Sequence, residues 1–217
     1  MGPLQRHRLA WLGDAAWREL LRRPWDAQAR AALECWARRE LPCVVARQGG
    51  EGEGVALGIA LPVQWQRRRI ALRVSEQGIT RLGDFPALEA AAMHAGWPQR
   101  TRERAARVHE RLASVHVSVR VFGSHGWQIL SGLPHVHAAS DLDLLIHVHG
   151  AREADAVVSA LAQCEPEAAP RLDGELVFPD GAAVAWREWL RAMQGQARQM
   201  LVKRLDRVGL GAREAFA

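Results

Sequence analysis

Two aspartates set two apart, Asp141 and Asp143, head the run Leu142-Asp143-Leu144-Leu145-Ile146. Leucine and isoleucine in a run of this length predict a strand over 141–148. Side chains alternate across a strand, so both carboxylates project from one face. Two carboxylates a few ångströms apart repel unless a cation lies between them. Hard divalent ions such as Mg²⁺ take oxygen ligands of this kind. Such a pair can hold two ions, one activating a nucleophile and one stabilising a leaving oxygen. The plainer alternative is a strand that begins at the surface with two solvated aspartates.

A second pattern lies upstream. Val119-Arg120-Val121-Phe122 alternates like a strand and runs into Gly123-Ser124, after which a short helix is expected over 125–130. A helix start with a small, flexible approach offers free amides and the positive end of the helix dipole to a phosphate. Gly123 lets the backbone come close and Ser124 adds a hydroxyl. Taken alone, the same residues also fit a simple turn with a serine cap.

The remaining pattern alternates helices and strands. Helices are expected over 14–21, 26–39 (capped by Asp26), 86–95, 101–113 and 151–163, the last broken before Pro166. Strands are expected over 43–46, 55–61, 70–74, 115–122 and 172–178. Gln48 to Gly54 reads as a turn with four glycines, and Trp186 to Asp206 as one or two helices. Gly96-Trp97-Pro98 breaks the pattern and divides a first domain, 1–96, from a second, 97–217. The expected class is α+β, with a small mixed sheet and helices in the C-terminal domain, preceded by a smaller α+β N-terminal domain.

Composition narrows the class of molecule. With 217 residues, 48% apolar and 24% charged, the chain can bury a core and is no coiled coil or disordered tail. No run is long and apolar enough to cross a membrane, and the N-terminus carries no apolar stretch with a small-residue cleavage site, so neither a membrane span nor a secretory signal is expected. Cys35, Cys43 and Cys164 are odd in number and widely spaced, which fits buried thiols in a reducing cytoplasm. Of the 29 basic residues only Lys203 is a lysine, a bias that a GC-rich genome explains. The net charge of +5 permits an acidic or phosphorylated partner without demanding nucleic acid. No nucleic-acid-binding spacing accompanies it.

Several residues carry two readings each. His135-Val136-His137 and His147-Val148-His149 put pairs of imidazoles on one face, as zinc would want, but no cysteine lies near them in sequence. His125 follows Gly-Ser and either touches phosphate or is a plain first-turn residue. Arg67-Arg68-Arg69 is either a clamp for phosphate or an acidic partner, or a solvated turn. Trp11, Trp17, Trp25 and Trp36, like Trp186 and Trp189, fit core positions better than a stacking platform.

The order strand, Gly-Ser, helix, Asp-x-Asp strand resembles the nucleotidyltransferase superfamily typified by DNA polymerase β and kanamycin nucleotidyltransferase. The resemblance implies that Gly123 and Ser124 hold the outer phosphates of a triphosphate and that Asp141, Asp143 and a third acid bind two Mg²⁺ (or Mn²⁺) ions. The strand Leu172-Asp173-Gly174-Glu175-Leu176 offers Asp173 first and Glu175 second, and the two are not separated by sequence. Lys203 is a further candidate for neutralising the triphosphate.

Phe122-Gly123-Ser124-His125-Gly126-Trp127-Gln128, Ser131-Gly132-Leu133-Pro134 and Ser140 to Leu145 resemble one family in particular, the phosphoribosyl-dephospho-CoA transferase, or holo-acyl-carrier-protein synthase, of malonate decarboxylase. The resemblance is strongest over 120–146 and runs nearly end to end. The 17 positions from Ser124 to Asp141 are long for the superfamily but fit this family. It implies a donor, 2′-(5-triphosphoribosyl)-3′-dephospho-CoA, and an acceptor, a serine of the apo acyl-carrier subunit of malonate decarboxylase, with pyrophosphate leaving. The first domain is then expected to bind substrate or carrier.

Overall fold

A computed structural model describes residues 3–49, 52–164 and 170–216. Gly50 of the expected glycine turn and the break at Pro166 lie outside them.

The first half folds from β1 (Leu9–Leu12), α1 (Asp14–Leu21), α2 (Ala27–Arg38), β2 (Cys43–Val45), β3 (Val55–Ala60), β4 (Arg69–Val74) and β5 (Ile79–Gly83). The strands form an antiparallel sheet in the order β4-β3-β2-β1-β5. Asp26 caps α2 as its sequence position suggests, its carboxylate accepting the Ala29 amide. β3 alternates, with Val55, Leu57 and Ile59 buried. These meet Trp17, Leu20, Leu33 and Trp36 of the two helices in one core.

The second half comprises α3 (Leu88–Ala92), α4 (Gln99–Ala113), β6 (Ser118–Val121), α5 (Gly123–Ser131), β7 (Leu142–His147), α6 (Ala151–Cys164), β8 (Leu172–Val177), β9 (Ala183–Ala185), α7 (Trp186–Met193), β10 (Met200–Lys203) and β11 (Val208–Gly211). Its sheet runs β11-β10-β9-β8-β7-β6 and is mixed: β7 and β8 are parallel, joined through α6, and every other pair is antiparallel. The chain is therefore a mixed α+β protein with two sheets. The expected break at Gly96-Trp97-Pro98 falls between α3 and α4, and Leu88, Ala91 and Trp97 all belong to the second core.

Helix α5 ties the halves together. Trp127 on α5 is buried in the first core, with ring centroids 6.3 Å from Trp36 and 5.6 Å from Phe85. Trp17, Trp36, Trp186 and Trp189 are all core residues. Among the described residues no cysteine forms a disulfide, and Cys43 and Cys164 are buried. Among the described residues no helix is long and apolar enough to cross a membrane.

The C-terminal region departs from the helical expectation. Helix α7 stops at Met193, Gly195 takes the left-handed φ of 71°, and the chain returns as the β10–β11 hairpin. Met200 and Val202 point inward and Leu201 outward, a two-residue period too short to stand out in the sequence. Strands β1 and β5 were not marked by alternation either; β1 lies inside its sheet and its four residues are apolar throughout.

Candidate active site

The end of β6, the start of α5 and the heads of β7 and β8 meet at Asp143. The Phe122 amide donates to the Asp143 carbonyl at 3.0 Å, fixing the turn into α5 against β7. Gly123 opens that helix with φ of 61°, and a Cβ there would fall 1.9 Å from Asp143 Oδ2. Only glycine lets the helix start lie on the carboxylate. The first amides of α5 have no partner within the helix, and the Ser124 hydroxyl makes no hydrogen bond among the described residues.

Strand register separates the two further acids, Asp173 and Glu175. In the parallel β7–β8 pair Asp143 stands opposite Asp173, whereas Glu175 stands opposite Leu145, deeper in the sheet. Asp141 lies just before β7. Arg171 joins Asp141 to Asp173: Nη2 donates to Asp141 Oδ2 at 2.6 Å and to Asp173 Oδ2 at 3.3 Å, and Nε to Asp141 Oδ1 at 3.2 Å. Burial, and then the charges of Asp173 and Asp141, push Asp143 up to about 7 against the opposing pull of Arg171 and Arg69.

Asp141, Asp143 and Asp173 carry hard oxygen donors, the ligand type that Mg²⁺ or Mn²⁺ takes. Among the described residues no group of three or more His, Cys, Asp or Glu side chains is gathered to hold a metal ion, and Arg171 bridges two of the acids, Asp141 and Asp173.

Glu175 and Lys203 are brought to each other rather than to this centre. Glu175 is buried, and its carboxylate meets Lys203 Nζ at 2.7 Å, His7 Nε2 at 3.2 Å and Arg6 Nη1 at 3.4 Å. Burial works to raise this carboxyl, but the His7 hydrogen bond, the His7 and Arg6 charges and the Lys203 contact together hold it down at about 2. The group fastens the N-terminal segment to β8 and β10.

His125 is turned inward. Its Nδ1 bonds the Asp141 carbonyl at 2.9 Å and its ring lies edge-on to Trp97, so it positions the Asp141 backbone instead of facing the cleft. Burial lowers its pKa. The histidine pairs go to separate partners: His149 to Glu153, His137 to Arg67, and His135 to Ser131 Oγ at 3.0 Å while stacked on Trp127.

Burial lowers His135 to about 4, while an exposed imidazole titrates near 6.5. The unfolded chain therefore binds a proton that the folded one refuses as pH falls from 6.5 toward 4. Stability is expected to decline across that window, with a slope from this group no steeper than about 1.4 kcal/mol per pH unit. Melting temperatures from pH 4 to 8 check this, and His135→Gln should flatten that part of the profile.

A cleft of about 620 Å³ opens from Asp143, Gly123 and Ser124 onto the outer face of the first sheet, reaching Gly58, Ala60, Arg67 and Arg69. Arg171, Arg69 and Gly174 are site residues that the motifs did not single out individually. Arg171 gave no signal beyond lying two residues before Asp173.

Residues 87–214 match the family described as the C-terminal domain of phosphoribosyl-dephospho-CoA transferase MdcG, and residues 5–85 match its N-terminal domain. The chain belongs to the phosphoribosyl-dephospho-CoA transferase family. It is thus a transferase enzyme. It is 40% identical over 213 residues to the phosphoribosyl-dephospho-CoA transferase of Xanthomonas campestris pv. campestris, covering 97% of this chain and 95% of the relative. The Bradyrhizobium diazoefficiens enzyme of the same name is 37% identical over 219 residues, covering 99% and 92%. That of Klebsiella pneumoniae is 30% identical over 186 residues, covering 85% of each. No solved structure matches the chain.

Proposed function

We propose that this chain transfers the phosphoribosyl-dephospho-CoA group from 2′-(5-triphosphoribosyl)-3′-dephospho-CoA to a serine hydroxyl of the apo acyl-carrier subunit of malonate decarboxylase, releasing pyrophosphate, on a nucleotidyltransferase-type scaffold. The observation that carries this is the seating of the α5 start, at Gly123, directly on Asp143, itself opposite Asp173. Phosphoryl transfer needs a donor held in line and charge neutralised where it develops, and this junction supports both.

Asp141, Asp143 and Asp173 would hold two divalent ions, Mg²⁺ or Mn²⁺, which when bound neutralise charge on the phosphates and on the attacking oxygen. The chain's own groups do the rest. The Gly123 and Ser124 amides and the Ser124 hydroxyl hold the departing pyrophosphate at the positive end of α5. Asp173, whose side chain is 38% exposed, lies open to the acceptor side and takes the serine proton. As the serine oxygen bonds to the α-phosphorus, the bond from that phosphorus to the outer pyrophosphate breaks. With Glu175 engaged by three basic side chains, Asp173 is our third acid.

Pyrophosphate release tests the reading. With Mg²⁺, the triphosphoribosyl donor and apo carrier, release should occur, stop on chelation, and vanish in Asp141→Ala/Asp143→Ala. Release with ATP in place of the CoA-derived donor would favour a different nucleotidyltransferase. Full activity in the double variant would overturn the two-ion assignment.

A further inference from the structure

The basic triplet 67–69 is split by the fold. Arg68 turns away from the cleft to Asp26, with Nη1 to Oδ1 at 2.8 Å and Nη2 to Oδ2 at 2.6 Å. Arg67 and Arg69, on either side of it, both line the cleft. Among the described residues neither forms an ion pair, and Asp143 is the one acidic residue of the lining. Arg67 Nη1 lies 2.6 Å from His137 Nε2, a contact that involves one of the five N–H groups of a guanidinium.

The backbone invests in this placement. Gln66 and Arg67 both sit at φ of 55°, a left-handed conformation that L side chains avoid, and the turn is closed by the Arg67 amide on the Pro62 carbonyl at 3.2 Å. Across the mouth stands the long Ser131–Ser140 segment. It is pinned by Gln128 Oε1, which accepts the His135 and Val136 amides, and by Pro134, whose carbonyl accepts the Val63 amide at 3.0 Å. The extra length between Ser124 and Asp141 thus builds a wall that meets the strained turn. Between the walls the sheet offers the small residues Gly58, Ala60 and Ala71, which leave the space open.

We propose that Arg67, with His137 beside it, is the seat for the internal diphosphate of the dephospho-CoA part of the donor, in the same cleft as Arg69 and the triphosphate end at Gly123–Ser124. This rests on the donor assigned above. A dephospho-CoA derivative carries two separate anionic groups, and the cleft has two anion-attracting poles. A simple nucleoside triphosphate has no second group to place at Arg67, so the seat favours the CoA-derived donor. Guanidinium–phosphate contacts are charge-assisted and bidentate-capable, the strong class of hydrogen bond.

Binding of 3′-dephospho-CoA and of inorganic triphosphate with Mg²⁺, measured by calorimetry on the full chain, tests the assignment. Arg67→Gly removes the guanidinium and relieves the left-handed strain, so it should melt no lower than wild type. It should nevertheless bind dephospho-CoA at least about tenfold more weakly while binding triphosphate as before. Arg67→Ala should show the same binding split, and Arg68→Ala should bind both probes like wild type. Dephospho-CoA affinity within twofold of wild type in both Arg67 variants would overturn the seat while leaving the donor standing. An equal loss for both probes would overturn it as a specific site. A wild-type protein that binds no dephospho-CoA would remove the donor, and the seat with it.

Discussion

Asp143→Asn is expected to lower transfer by on the order of 10³-fold or more, the scale of losing a preorganised electrostatic group, and to raise the melting temperature of the metal-free protein at pH 8. The two effects have one cause. The Asp143 carboxyl is pushed up to about 7 from 3.8 by burial and by Asp173 and Asp141. The unfolded chain therefore releases this proton several pH units before the folded one does, and the charged form weighs against folding as pH rises from 3.8 through 7, by a few kcal/mol at most. Asparagine has nearly the same shape and no charge, and the Asp143 carboxylate accepts no hydrogen bond among the described residues that asparagine would forfeit. A gain of several degrees with transfer lost would show that the site holds a charge at the expense of stability. Unchanged turnover, or a clear fall in melting temperature, would contradict this account.

Gly174→Ala should be among the most destabilising single-methyl changes in the chain, by about 3 kcal/mol or more. Gly174 lies between Asp173 and Glu175 with φ of 151°, and a Cβ there would meet the Leu144 carbonyl oxygen at 2.1 Å and the Leu144 carbon and nitrogen at 2.9 Å. These are backbone atoms of the paired strand, so no side chain can swing aside. Relief would pull β8 from β7 and with it Asp173 from Asp143, so transfer should fall even where folding survives. Gly209→Ala, with nothing within 4 Å of the added carbon, should melt like wild type. Thermal unfolding of the two variants side by side checks the contrast.

What the sequence disclosed follows the range of the forces involved. The Asp-x-Asp strand, the Gly-Ser turn, the Asp26 cap and most helix spans depend on neighbours a few residues away, and they stood out. The choice between Asp173 and Glu175 did not, because both lie on one strand and only the pairing with β7 sets which faces Asp143. The basic residues that occupy Glu175 arrive from Arg6, His7 and Lys203, far along the chain at both ends. The basic triplet looked uniform, but the left-handed turn at Gln66 and Arg67, running into β4 at Arg69, sends Arg68 to Asp26 and its neighbours to the cleft. The β10–β11 hairpin was masked by its shortness, since four-residue strands give too little alternation to outweigh a preceding helix.

The intact mass of the apo acyl-carrier subunit after incubation with this chain, Mg²⁺ and 2′-(5-triphosphoribosyl)-3′-dephospho-CoA tests the central claim most directly. The account predicts a single added phosphoribosyl-dephospho-CoA group on one serine, absent when Asp143→Asn replaces the wild-type chain. A carrier that stays at its apo mass with the wild-type chain, or gains only a nucleotide from ATP, would contradict it.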